Sequence, residues 1–79
     1  MTVRVRLFAA LRELAGSGEV TGSGRTVGEI ADGLAADHGE RFAAIAAVSS
    51  FVVNGERASR STVLADGDEV AILPPVSGG

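Results

Sequence analysis

The group best placed to do chemistry in this 79-residue chain belongs to the main chain. A hydrophobic run, Val70-Ala71-Ile72-Leu73, leads into Pro74-Pro75 and then into Val76-Ser77-Gly78-Gly79. Prolines cannot continue a strand ladder, and two in a row stiffen the exit into an extended form. The six residues from Pro74 to Gly79 reach roughly 20 Å at about 3.3 Å per residue. A stiff base with a tip lacking Cβ atoms can thread a narrow channel in another protein. The reactive group at that tip is the α-carboxylate of Gly79, which is ionised at neutral pH and a poor electrophile. It needs outside activation, such as a mixed anhydride with a nucleotide phosphate. No G-x-x-x-x-G-K-[ST] loop is present, and Gly22-Ser23-Gly24 is not followed by a third glycine at dinucleotide spacing. The nucleotide is therefore expected on a partner. A bare Gly-Gly end alone would read as a frayed terminus. The strand and the Leu-Pro-Pro-Val-Ser segment before it reverse that reading, with the carbonyl of Gly79 as the reacting centre.

Side-chain chemistry is sparse. Cysteine is absent, which removes disulfides, zinc thiolates and thiol nucleophiles. Lysine is absent as well, all seven basic residues being arginine, so the chain has no ε-amine for a Schiff base or an isopeptide bond. The single histidine, His38, has no second histidine or cysteine to form a metal site or triad, and is read as a helix C-terminal cation or a solvent-facing group. Asp66, Asp68 and Glu69 lack the spacing of a calcium loop and read as a tight turn with solvated acids. They could also form an acidic rim facing an arginine-bearing partner. No metal site is expected, and no cofactor bound by the chain itself.

Composition bounds the rest. Seventy-nine residues make one domain, which buries only about 60% of the surface its unfolded chain exposes, leaving no room for a deep catalytic cleft beside a core. The apolar fraction of 46% is that of a globular chain. The net charge of −3 argues against a nucleic-acid partner and mildly favours steering toward a positive surface. No apolar run approaches the roughly 20 residues of a membrane span, and Met1 to Leu14 alternates charged with apolar residues unlike a secretory leader. A cytoplasmic location without membrane contact is the expectation.

The elements that would position the tail follow from periodicity. Val3, Val5 and Leu7 alternate with Arg4, Arg6 and Phe8, predicting a strand with one buried face. A short helical turn over Ala9 to Gly16 comes next, then a glycine- and serine-rich stretch with room for a short edge strand around Glu19 to Thr21. Thr26 and Glu29 form a capping box opening the main helix, whose stripe is Val27, Ile30, Ala31, Leu34 and Ala35 and whose stop is Gly39. That stripe reads as core rather than as a partner groove. Gly28 and Gly33 inside this helix cost about 1 kcal/mol each. Phe42, Ile45 and Ala46 predict a second short helical piece. Phe51 to Val53 reads as a strand, Asn54-Gly55 as a hairpin turn, Glu56 to Ala58 as the returning strand, and Glu69 to Leu73 as the last strand after the turn at Asp66-Gly67-Asp68. The first and last strands are expected as parallel central neighbours, with hairpins outside and one main helix on one face. That is an α+β, two-layer β-grasp domain over residues 1–73 with a flexible tail over 74–79.

Alternation then places a second feature beside the tail. With Val5, Leu7, Val70 and Ile72 facing the helix, Phe8 and Leu73 point to the open face near the exit. Two large apolar groups there make a docking site for a protein partner, against the plainer alternative of scattered surface residues.

The ending DGDEVAILPPVSGG, together with the opening VRLFAALRELAG, resembles the small sulfur-carrier subunits of molybdopterin synthase, in the ubiquitin-like β-grasp sulfur-carrier family. The likeness covers essentially the whole chain. It implies that Gly79 is adenylated by an activating enzyme using ATP and is then converted to a thiocarboxylate by a sulfur donor. The tail would enter the large catalytic subunit, in a heterotetramer, where sulfur passes to a pterin precursor to build the molybdopterin dithiolene. Carried over by position, Gly78 permits entry, Pro74, Pro75, Val76 and Ser77 line the tunnel, and Phe8 and Leu73 match apolar docking positions. Arg57 departs from the pattern, standing where some relatives carry an apolar contact. The chain would be no enzyme on its own but the sulfur-donating subunit of a sulfurtransferase. Alternatives in the same class are a carrier serving thiazole or cysteine synthesis, and a ubiquitin-like modifier attached to lysines of other proteins; a passive binding module is the last alternative.

Overall fold

The computed structural model describes residues 2–75. Its elements are β1 (Thr2–Leu7), α1 (Ala9–Ala15), β2 (Glu19–Ser23), α2 (Val27–His38), α3 (Glu40–Ala47), β3 (Ser50–Val53), β4 (Glu56–Ala58) and β5 (Glu69–Leu73). The five strands form one sheet in the order β2-β1-β5-β3-β4. β1 and β5 run parallel in the middle, while β2 pairs antiparallel with β1 and β3 antiparallel with β5. The parallel pair is possible because the whole helical layer lies in the connection between the two strands.

One face of the sheet is covered. Val3, Val5, Leu7, Phe51, Val70 and Ile72 point into a single core with Leu11 of α1, Val27, Ile30, Ala31 and Leu34 of α2, and Phe42 and Ala46 of α3. The expectation of one main helix on this face is extended: α1 and α3 each contribute buried side chains, so the layer holds three helices. The predicted second helical piece is α3, two turns long, and β2 runs two residues beyond the expected Glu19 to Thr21. Burying a side chain such as Phe42 or Ile72, both fully buried, contributes about 1.5–3 kcal/mol.

Two local signals read from the sequence take specific forms. The Thr26 hydroxyl oxygen accepts from the Glu29 amide at 3.2 Å, as a capping box requires, but the Glu29 carboxylate reaches back to the Arg25 amide at 2.9 Å rather than to that of Thr26. Asn54 and Gly55 both have positive φ, 50° and 84°, the two-residue turn whose twist matches a hairpin.

Gly28 has a reason to be glycine. Its amide donates to the Arg60 carbonyl at 2.9 Å, and the Val27 amide donates to that of Thr62 at 3.1 Å. The loop before β5 thus caps the start of α2, and a Cβ at Gly28 would lie 3.1 Å from the Arg60 carbonyl oxygen. The other helical glycine, Gly33, faces open space.

Candidate functional site at the exit of the last strand

The site is built by the β1–β5 ladder. Its pairs run Arg4↔Glu69, Val5↔Val70, Arg6↔Ala71 and Leu7↔Ile72. Leu7 and Ile72 are buried, so the next residue of each strand belongs to the opposite face. Phe8 keeps the extended backbone of the strand, with φ −133° and ψ 155°, which carries the alternation one residue further. It is 37% exposed, and Leu73 is half-buried. The structure therefore puts Phe8 and Leu73 on the open face at the end where β5 stops, as alternation predicts. Pro74 is half-buried, Pro75 is exposed, and neither continues the strand. Val76, Ser77, Gly78 and Gly79 lie outside the described residues.

Phe8 stays on that face because of Ala9. Phe8 is also the N-cap of α1, its carbonyl accepting from the amides of Leu11 at 3.1 Å and Arg12 at 3.4 Å. The chain makes the corner by placing Ala9 at φ 52°, in the left-handed region that costs a non-glycine residue about 1–2 kcal/mol. Nothing in the sequence marks Ala9 for this role, since alanine carries no turn signal.

The start of β5 is fixed by a polar clamp. Asn54 donates its amide to the Glu69 carbonyl at 2.9 Å and accepts from the Glu69 amide on its side-chain oxygen at 3.0 Å. Its side-chain nitrogen donates to Asp68 at 2.8 Å, and the other Asp68 oxygen accepts from the Ala65 amide at 2.8 Å. These bonds to the carboxylate, first that from Ala65 and then that from Asn54, hold the Asp68 pKa below its ordinary 3.8. The turn read as solvated acids is exposed but also bonded: Asp68 and Asn54 tie the β3–β4 turn to the root of β5.

Other candidates fall away on geometry. His38 ends α2 and stacks near Phe42, ring centres 5.3 Å apart. Among the described residues, no group of three or more His, Cys, Asp or Glu is placed to hold a metal ion, and no helix is long and apolar enough to cross a membrane. A shallow hollow lined by Ala10, Glu13, Leu14, Arg41 and Ile45 lies between α1 and α3, away from the open face. It holds one acid and one base without convergent polar groups.

A mixed sheet backed by helices, with its last strand running out centrally beside an apolar patch, defines a ubiquitin-like β-grasp fold. The chain belongs to the ThiS family, which it matches over residues 5–79. It is 37% identical to the molybdopterin synthase sulfur carrier subunit of Chlamydomonas reinhardtii over the full length of both chains. It is 38% identical to small archaeal modifier protein 1 of Haloferax volcanii, covering 94% of this chain and 97% of the relative. The crystal structure of that modifier superposes with a TM-score of 0.81 at 35% identity over all of both chains. Two further solved structures are similar: CysO of Mycobacterium tuberculosis, with a TM-score of 0.79 and 28% identity over 94% of this chain and 99% of that one, and a complex of subunits 1 and 2 of the molybdopterin-converting factor of Helicobacter pylori, with a TM-score of 0.65 and 26% identity over all of both chains.

Proposed function

We propose that this chain is the sulfur-carrying subunit for molybdopterin synthesis, with the Gly79 carboxylate as the loading site. The single observation that carries the reading is the parallel β1–β5 ladder, which ends β5 at the sheet's centre, next to Phe8, immediately before the sequence PPVSGG. In this reading residues 1–73 are the handle, and Pro74, Pro75, Val76, Ser77 and Gly78 carry the reactive end into a partner's pocket.

The chemistry asks nothing of the carrier's side chains. A carboxylate oxygen of Gly79 attacks the α-phosphorus of ATP on an activating enzyme, and pyrophosphate leaves. Sulfide (HS⁻) supplied by the donor then attacks the acyl carbon of the adenylate, AMP leaves, and loss of the sulfur's proton gives the thiocarboxylate. Sulfur is softer and more nucleophilic than the oxygen it replaces, so it can attack a carbon of a pterin precursor in the large subunit, displacing an oxygen leaving group. The thioester so formed is then hydrolysed at its acyl–sulfur bond, leaving the sulfur on the pterin. Water finally restores the carboxylate at the acyl carbon. A chain without cysteine has no thiol on which to carry sulfur instead. ATP, activating enzyme and sulfur donor all belong to the partners, and the chain performs no turnover alone.

Similarity to the Chlamydomonas subunit supports the molybdopterin assignment, and the Helicobacter complex of subunits 1 and 2 supports a catalytic partner of that kind. Similarity to the archaeal modifier and to CysO supports the second reading, in which the activated Gly79 serves protein modification or another sulfur pathway. Reconstitution separates them. Thiocarboxylated chain mixed with the large synthase subunit and pterin precursor is expected to yield the dithiolene. No product there, with transfer to a cysteine or thiazole synthase or to protein lysines instead, would overturn the molybdopterin reading.

A further inference from the structure

The open face of the sheet has a charge opposite to that of the molecule. By alternation it presents Thr2, Arg4 and Arg6 of β1, Glu19, Thr21 and Ser23 of β2, Ser50 and Val52 of β3, Arg57 of β4, and Glu69, Ala71 and Leu73 of β5. Three arginines against two glutamates give this face +1, while the remaining four arginines and eight acids give the rest of the chain −4. The net charge of −3 mildly favours a positive partner surface, but eight of the ten acids behind that number lie off this face.

The arrangement within the face is specific. One row crosses all five strands as Glu19, Arg6, Ala71, Val52 and Arg57. Ala71 and Val52 are half-buried, and the short side chain of Ala71 leaves a low floor between taller neighbours. Arg6 and Arg57 are exposed and stand three strand spacings apart, about 14 Å. Arg4 is engaged by Glu69 at 3.7 Å, but neither Arg6 nor Arg57 forms an ion pair with a described residue. Continuing from this row toward the tail exit come Ser50, Leu73 and Phe8, so the floor is contiguous with the patch at the root of the tail.

We infer that Arg6 and Arg57 bracket an apolar floor that selects the tail-receiving subunit by carboxylates flanking an apolar side chain. The inference rests on the functional reading above and adds to it the chemistry of the partner's surface. Complementary charge around an apolar centre acts mainly on the rate of encounter and on rejection of wrong partners. An acidic body with one weakly basic face would approach such a partner in the orientation that also presents the tail.

The test measures association of the full chain with the large molybdopterin synthase subunit from the same genome, at low and at high salt. The double reversal R6E/R57E is compared with R12E/R41E, which makes the same charge change in the helical layer; circular dichroism confirms that both fold. The open-face pair is expected to slow association about tenfold or more at low salt and to flatten its salt dependence, with the helical pair within about twofold of wild type. Equal slowing by both pairs, or none from the open-face pair, overturns the inference while leaving the functional reading intact. Failure of the unaltered chain to bind the large subunit at any salt overturns both.

Discussion

The two faces of the sheet are made from the same strands and obey opposite rules. On the helical face Val5, Val70 and Ile72 are fully buried, and removing any of them leaves a hole in a packed interior. On the open face Phe8, Val52, Ala71 and Leu73 are only partly covered, although three of them are large and apolar. One residue of displacement along β5, from Ile72 to Leu73, moves a side chain from the packed core to the open face, where we propose that a partner docks. The lesson is that a strand of five residues can serve both purposes because its side chains alternate.

The comparison is broken most forcefully at that adjacent pair. Ile72→Ala is expected to cost about 2–5 kcal/mol of folding stability by chemical denaturation. Leu73→Ala is expected to cost about 1 kcal/mol or less, and a cost equal to that of Ile72→Ala would erase the distinction between the faces. Next in size, Phe8→Ala is expected to weaken binding to the large subunit by about 1–2 kcal/mol with a smaller loss of stability, read by titration calorimetry beside a melting curve. Smaller still, Gly33→Ala should stabilise by about 0.5–1 kcal/mol, because nothing lies within 4 Å of its Cβ position. Gly28→Ala should instead destabilise, because the Arg60 carbonyl is held against α2 by a 2.9 Å hydrogen bond and cannot retreat freely.

The smallest effect concerns acid. The folded-state pKa of Asp68 is depressed, so its contribution is full above the ordinary value of 3.8, fades as pH falls through it, and is gone below the folded value. Asp68→Asn should therefore narrow the stability gap between neutral and strongly acidic solution. A gap unchanged in the variant would show that the clamp to Asn54 does not steady the root of β5.

Much of this was legible in advance, for definite reasons. The alternation of Val3, Val5 and Leu7 and the stripe of α2 are periodic signals, and a parallel β1–β5 pair follows once a helix lies between them. The same counting places Phe8 and Leu73 on the open face. What was hidden has no local signature. Ala9 adopts a positive φ because the corner into α1 demands it, not because alanine prefers it. Asp68 and Asn54 meet across fourteen positions of sequence, and the row from Glu19 to Arg57 joins five strands whose register emerges only on folding. Net charge does not show the basic face for a related reason, because it sums over faces that the fold keeps apart.

We propose that sulfur is carried on the carbonyl of Gly79 and nowhere else. The most direct test is the intact mass of the chain after incubation with activating enzyme, ATP and sulfur donor, with fragmentation to locate the change. One oxygen exchanged for one sulfur at Gly79 is expected, with no exchange in a chain shortened by that residue. Sulfur found on any other residue, or a shortened chain that still takes it up, would overturn the role proposed for Gly79.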